Sequence, residues 1–280
     1  MKFIAALLLA TVSLPADPVR DFWFSGAEIS SYELSQSRYG KNHPGHAELI
    51  FVTEPFLIGK QVKDEGGKGD SAEVLKLNAL TTFNTGIYSY RTMTSTFRPI
   101  DLQKFPHALK STTSIQDWCG HAFQQANFRE NGWNVQLRSY FENAGDRDFT
   151  LPPAHLEDEL WVTLRLDPKQ LPTGNIDIIP GAVFTRFQHQ PIAPVKATAT
   201  LDMSGNTGVY TISYPSLKRV LSIGFQKEFP HIIGAWTEIT PSGTTSAKLR
   251  KRLMNVNYWK LNGPGDAEKR KQLALDPIAD

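Results

Sequence analysis

The chain is poor in the residues that usually announce chemistry. Its 280 residues hold one cysteine, Cys119, which excludes an intramolecular disulfide framework and any zinc site built from several thiolates. Net charge is nearly absent: 30 basic against 28 acidic residues leave a formal +2, too little to argue for nucleic acid or another highly charged partner. No G-x-S-x-G elbow, no G-x-x-x-x-G-K-[ST] or G-x-G-x-x-G phosphate loop and no H-E-x-x-H pair occurs. Glu157 and Glu159 are too close in sequence to face each other across a substrate, so no glycosidase-type carboxylate pair is identified. Nothing implies a cofactor or a bound metal.

Long apolar runs are also missing. The first residues, MKFIAALLLATVSLPADP, join Lys2 to an apolar stretch from residue 3 to 12 and a small residue, Ala16, at a plausible cleavage point. That stretch is too short to span a bilayer, and the pattern is that of a secretory signal peptide. The expectation is a signal peptide at 1–16 and a single β-rich domain at 17–280. No cysteine follows the apolar run, so a lipid anchor there is excluded, and a periplasmic or secreted location is implied.

What is abundant is alternation with period two, broken by turn residues, which is the mark of strands. Residues 47–53 form a run that should stop before Pro55, and 65–70 reads as a polar, glycine-rich loop. Runs at 74–83 and 87–97 flank Asn84-Thr85-Gly86. Arms at 120–129 and 133–141 flank Asn131-Gly132, a dipeptide suited to a type I′ turn. Helical period appears once, after Pro152-Pro153: HLEDELWVTLRL puts Leu156, Leu160, Trp161 and Leu164 on one face and three acids in the first turn. Strands are expected again at 176–179, 183–188, 195–201, 209–214, 220–225 and 232–240, with a short terminal helix at 266–275. So many antiparallel strands curl rather than stay flat. The fold class is therefore mainly β: a large antiparallel open barrel or half-barrel with one central helix, a short C-terminal helix and room for a cavity.

Two sites stand out. QDWCGH places Cys119 between Asp117 and His121. One reading is a thiolate activated by His121 and oriented by Asp117. The other is a small buried side chain on a strand, since free cysteine is among the most buried residue types, with Gly120 making room for the Trp118 ring. Alternate residues of a strand project in parallel, which disfavours the dyad. The second site is an internal echo: Gln103-Lys104-Phe105-Pro106-His107 returns as Gln226-Lys227-Glu228-Phe229-Pro230-His231. Proline cannot donate to a ladder, so both copies should mark strand-to-strand corners. Trp118, Phe105, His107, Phe229 and His231 are the candidates for ligand contact at a rim. Lys248, Arg250, Lys251, Arg252, Lys269, Arg270 and Lys271 make the C-terminal end basic, a surface suited to peripheral membrane contact.

The stretches VLKLNALTTFNTGIYSY, FPHALKSTTSIQDWCGHAF, LPTGNIDIIPG and FPHIIGAW resemble a family of exported proteins of Gram-negative bacteria with no established activity. Its members tend to carry the Trp-Cys-Gly-His stretch, here Trp118 to His121, and the Leu-Pro-x-Gly turn, here Leu171 to Gly174. The name septum formation inhibitor Maf, given to some such sequences, does not fit. Maf-type pyrophosphatases are α/β proteins opening with a serine-rich, double-arginine loop, which ELSQSRYG is not. The order of strands, one helix and more strands is also similar to periplasmic proteins of the DUF3108 type, open β-barrels akin to lipoprotein carriers. This resemblance implies binding or carriage of an amphipathic ligand, a lipid or envelope glycan. An envelope enzyme using Cys119 and His121, and a non-catalytic interaction module of the envelope, are the alternatives.

Overall fold

The computed structural model describes residues 18–67 and 69–275; the expected signal peptide lies outside the described residues. Helix α1 (Pro18–Trp23) leads into β1 (Ala27–Arg38), β2 (Lys41–Leu57), β3 (Val62–Lys63), β4 (Ser71–Thr85), β5 (Tyr88–Pro99), β6 (Lys110–Asp117), β7 (Gly120–Arg129), β8 (Gly132–Ser139) and β9 (Arg147–Leu151). The short β10 (His155–Leu156), helix α2 (Glu157–Leu166), β11 (Gly174–Ile179) and helix α3 (Ala182–Phe187) follow. The chain ends with β12 (Val195–Asp202), β13 (Gly208–Tyr214), β14 (Arg219–Phe225), β15 (Ile233–Thr240), β16 (Gly243–Val256) and α4 (Glu268–Gln272).

All sixteen strands belong to one sheet, ordered β10-β11-β12-β13-β14-β15-β16-β1-β2-β4-β5-β6-β7-β8-β9, with β3 beside β2. Pairing is antiparallel except between β10 and β11. The first and last long strands, β1 and β16, meet mid-sheet, while β9 and β10 form its two ends. Four peptide steps join Leu151 to His155, at most about 14 Å of chain, so the two ends lie together and the sheet is rolled. Its seam is sealed by side chains: Trp133 donates to the Ala154 carbonyl at 2.9 Å and packs with Val135, Leu156 and Ile179. The open barrel expected from the sequence is thus observed. Helix α2 is enclosed by it, with Leu160, Val162, Leu164 and Leu166 buried against Tyr32, Phe51, Tyr210, Ile212 and Ile223 of the walls.

Four local expectations are corrected. Strand β2 runs through Pro55 to Leu57. The Pro55 carbonyl accepts from Asp64, and in an antiparallel ladder a residue's N and O point the same way. Pro55 therefore presents its missing donor away from β4, where none is needed. The tight turn after β7 uses Glu130 and Asn131 at positive φ, 49° and 62°, one residue earlier than Asn131-Gly132. Residues 183–188, expected as a strand, lie in α3 (182–187) and its C-cap, because Phe184 and Phe187 sit one turn apart and bury together. Trp118 and Cys119 form the turn between β6 and β7 rather than strand, and the ring seated on Gly120 belongs to Tyr140.

The helix carries charge into the interior. Arg165 is 0% and Glu28 1% exposed. The guanidinium donates to both Glu28 oxygens at 2.7 and 2.6 Å and to the Pro230 carbonyl at 2.8 Å. It also lies 4.4 Å from the Phe51 ring centre. Removing one member of such a pair strands the other charge, at a cost of about 3–5 kcal/mol, whereas replacing both with apolar residues is often neutral. Glu28→Gln is expected to lose stability in that range in urea unfolding, and Glu28→Leu with Arg165→Met to recover most of it. Equal losses for the single and double variants would show that the pair does not carry the effect.

Candidate functional site

Between α2, α3 and the inner wall lies a cavity of about 150 Å³. One side is apolar: Leu34, Leu49, Leu77, Val183, Phe184 and Phe187. Another is hydroxylated, because β5 turns Thr92, Thr94 and Thr96 inward on alternate positions. Trp161 of α2 reaches into the space and meets Trp236 edge-on, with ring centres 5.3 Å apart.

The third side is charged. Arg219, almost fully buried, begins β14. Its Nη2 donates to Glu157 Oε1 at 2.7 Å and its Nε to Glu238 Oε1 at 2.6 Å. Its Nη1 and the Tyr214 hydroxyl both donate to Glu157 Oε2. The Phe184 ring lies 4.1 Å from the guanidinium carbon. Burial pulls the Arg219 pKa down, but the Glu157 and Glu238 carboxylates outweigh it and hold the group well above its ordinary value. Gly181 permits the close approach of α3, since a Cβ there would stand 2.6 Å from Glu157 Oε1.

Asp158 has no cationic partner of its own. Its Oδ2 accepts the Ala182 N–H at 3.4 Å. Protein surrounds the carboxyl, although its edge faces the cavity. Burial, then the neighbouring Glu157 charge, push its pKa from 3.8 to about 7. Burial also raises Glu238, against the pull of Arg219. The cavity therefore combines an apolar body with one acidic corner.

A second cluster lies beyond the first turn of α2. Glu159 Oε1 meets Nδ1 of His107 at 3.0 Å and Nδ1 of His155 at 3.4 Å. Oε2 takes the Ala108 N–H, and Oε1 also takes the Leu156 N–H at 3.3 Å. Burial raises this carboxyl, but the two imidazoles and Arg98 more than reverse that, so its pKa falls to about 2. Among the described residues these are the three whose donor atoms, within 4.8 Å of one another, have spacing suited to a metal ion. The sequence spacing marks neither histidine as a metal ligand, although His107 is among its candidates for ligand contact.

The sequence candidates scatter. Both Phe-Pro-His segments are strand-to-strand corners, β5–β6 and β14–β15, but none of Phe105, His107, Phe229 and His231 lines the cavity. They hold α2 instead: His107 grips Glu159 near its start, and Pro230 accepts from Arg165 near its end. Phe105 packs with Leu109 and Phe97, and Phe229 with Phe22 and Trp23. Burial lowers the His231 pKa. Trp118 is an exposed hairpin tip and does not line the cavity either. Cys119 is exposed, contrary to its reading as a buried strand residue. The Asp117 carboxylate accepts the Cys119 backbone N–H at 2.7 Å, which closes the turn rather than orienting His121. Of the basic C-terminal residues, Arg270 lies near Glu48 under α4, where burial raises the Glu48 pKa to about 7. Among the described residues no helix is long and apolar enough to cross a membrane.

Neither a protein-family model nor a curated protein matches the chain. A solved structure is similar: the β-barrel-like protein of a domain of unknown function, DUF1849, from Brucella abortus. It aligns with TM-score 0.51 at 10% identity, over 82% of this chain and 98% of that one. The likeness shows the fold alone. It supports a β-barrel-like protein of unknown function and gives no support to the DUF3108 likeness.

Two outcomes follow from this geometry. Cys119 should be labelled by iodoacetamide in native buffer without denaturant; labelling only after denaturation would contradict its exposure. Asp158 gives a pH dependence of known sign. Between about pH 4 and 7 the folded chain keeps a proton that the unfolded chain has released, so this group's stabilisation falls as pH rises through that window. Its slope is below the ~1.4 kcal/mol per pH unit that a whole proton gives. Asp158→Asn should gain stability relative to the parent as pH goes from 5 to 8 in denaturant titrations, and parallel profiles would refute the assignment.

Proposed function

We propose that the protein binds a small amphipathic molecule inside its barrel and does so in the cell envelope, as an exported protein freed of residues 1–16. The observation that carries this reading is the composition of the cavity: an apolar and hydroxylated wall with its one charged corner at Asp158, Glu157, Arg219 and Glu238. A cavity near 150 Å³ holds a body about the size of benzene. The ligand therefore places a ring or a short acyl end inside, and any longer part extends outward.

The polarity of the head follows from the wall. Arg219 already has its carboxylate partners, so it has little to offer an anion. Asp158 and Glu238 present carboxyl oxygens, and the threonines of β5 present hydroxyls. An amine or hydroxyl-bearing head is favoured over a carboxylate. Cys119 and His121 lie outside the cavity lining, so the enzyme alternative draws no support from this geometry.

The test is native mass spectrometry of the chain from residue 17 to 280 after export in a Gram-negative host, paired with titration by the neutral amphiphile N-phenylnaphthylamine. A retained or exchangeable small molecule, with quenching of Trp161 and Trp236, is expected. Ala79→Phe, which fills the cavity from β4, should weaken probe binding at least tenfold, or about 1.4 kcal/mol. Saturable binding unchanged in that variant would overturn the interior site.

A further inference from the structure

Antiparallel succession puts the β1–β2, β4–β5 and β6–β7 turns and the end of β8 at one end of the barrel. That end carries an unusual set of exposed side chains: Tyr39 at 61%, Ile87 at 85%, Trp118 at 70% and Tyr140 at 74%. They are contiguous rather than scattered. The Tyr140 ring covers Gly120 beside the Trp118-Cys119 turn. Trp118 lies 6.4 Å from Tyr88 between ring centres, and the Tyr88 hydroxyl is 3.3 Å from that of Tyr39. Single exposed hydrophobes are ordinary on a soluble surface, but a joined band of them marks an interaction site.

Beside this band stand two arginines that no carboxylate neutralises among the described residues. Arg38 spends one amino group on the Phe187 carbonyl at 2.7 Å and stacks over Tyr39 and Phe187, 4.6 and 4.7 Å from their ring centres. Arg186 lies 3.9 Å from the centre of the Phe141 ring. The Nε of each is buried with no hydrogen-bond partner. They are close enough that Arg38 and burial both depress Arg186, and His189 feels both cations. Asp117, which also acts on Arg186, is engaged with the Cys119 N–H. Partly exposed guanidinium groups without a carboxylate hydrogen-bond partner, next to exposed tryptophan and tyrosine, fit one partner chemistry: phosphate oxygens at the level where aromatic rings settle in a bilayer interface.

We infer that this end of the barrel docks on an anionic phospholipid surface, with Trp118, Tyr140, Tyr39 and Ile87 entering the interface and Arg38 and Arg186 taking lipid phosphates. Phe187 ties this end to the interior, because it carries Arg38 on its ring and carbonyl and also lines the cavity. The docking does not depend on what the cavity holds.

The test is co-flotation of the full mature chain with phosphatidylglycerol–phosphatidylethanolamine vesicles, against pure phosphatidylcholine, in low salt. Binding is expected to prefer the anionic vesicles. Trp118→Ser with Tyr140→Ser, at positions exposed enough to leave the fold intact, should weaken partitioning at least tenfold, since these rings supply the apolar contact. Arg186→Gln should reduce the anionic preference about fivefold while binding to phosphatidylcholine stays as in the parent. Absence of parent binding to anionic vesicles, or an aromatic double variant that binds like the parent, overturns the inference. Inorganic phosphate separates the two sources of phosphate oxygens. Release of the protein by millimolar phosphate at constant ionic strength, with the aromatic variant unaffected, would assign the arginines to a free anion and reject the membrane.

Discussion

The most deeply buried ion pairs of the interior centre on the ten-residue helix α2, and the bidentate Arg165–Glu28 pair is the one that fixes where that helix lies. A helix enclosed by a barrel cannot leave its charged groups to water. Here each is met by a different part of the wall. Glu157 goes to Arg219 and Tyr214 on β14 and β13, Glu159 to the β5–β6 corner and the seam, and Arg165 to β1 and the β14–β15 corner. The acids occupy the helix start and the arginine its end, the arrangement that the helix dipole favours. Buried pairs of this kind add little net stability over an apolar core, because desolvation offsets much of the attraction. Their effect is selective: a shift of α2 by one residue would strand three charges at once.

The cavity is a consequence of that placement. With α2 pinned by Glu157 and Arg165, Trp161 and Asp158 project into space that the wall does not fill. On the β5 side the wall is threonine rather than leucine or phenylalanine. Helix α3 completes the enclosure, and Gly181 lets it come against Glu157. The acidity of the corner follows from arithmetic: Arg219 is a single guanidinium serving Glu157 and Glu238, so Asp158 is left with no cation. Its raised pKa is the electrostatic record of that shortage.

Much of the wall was legible in the sequence, because period two is a local property. The arms around residue 131, the alternating threonines of β5 and the helix after Pro152-Pro153 are where the pattern puts them. The misreadings come from the same source. Residues 183–188 carry β-branched and aromatic types and read as strand, but β11 and β12 already pair with each other, and the phenylalanines bury better one turn apart. Cys119 was placed on a strand because its neighbours alternate; Asp117 closing a turn onto the Cys119 N–H is a side-chain event that alternation does not register. The charged site was invisible for a different reason. Arg165 and Glu28 are 137 residues apart, Arg219 and Glu157 62, His107 and Glu159 52, and no spacing rule links them. The Phe-Pro-His echo was found as a pair of corners, but that both corners grip one helix is visible only in three dimensions.

The distribution of polarity along the barrel bears on how it works. Ordinary economy puts charge outside and aromatic rings inside. This protein reverses both in separate places: carboxylates and guanidiniums are enclosed around α2, while a tryptophan and two tyrosines stand in solvent at the hairpin tips. The interior reversal is internally compensated, since the buried charges of α2 other than Asp158 each meet an opposite charge or an imidazole. In the exterior one, Trp118 and Ile87 stand exposed at their hairpin tips, and the partly exposed guanidiniums of Arg38 and Arg186 beside them meet no carboxylate hydrogen-bond partner among the described residues. At this end exposed apolar surface and uncompensated positive charge therefore coincide. An interface offering hydrocarbon and phosphate together answers both, whereas a free anion would answer only the charge.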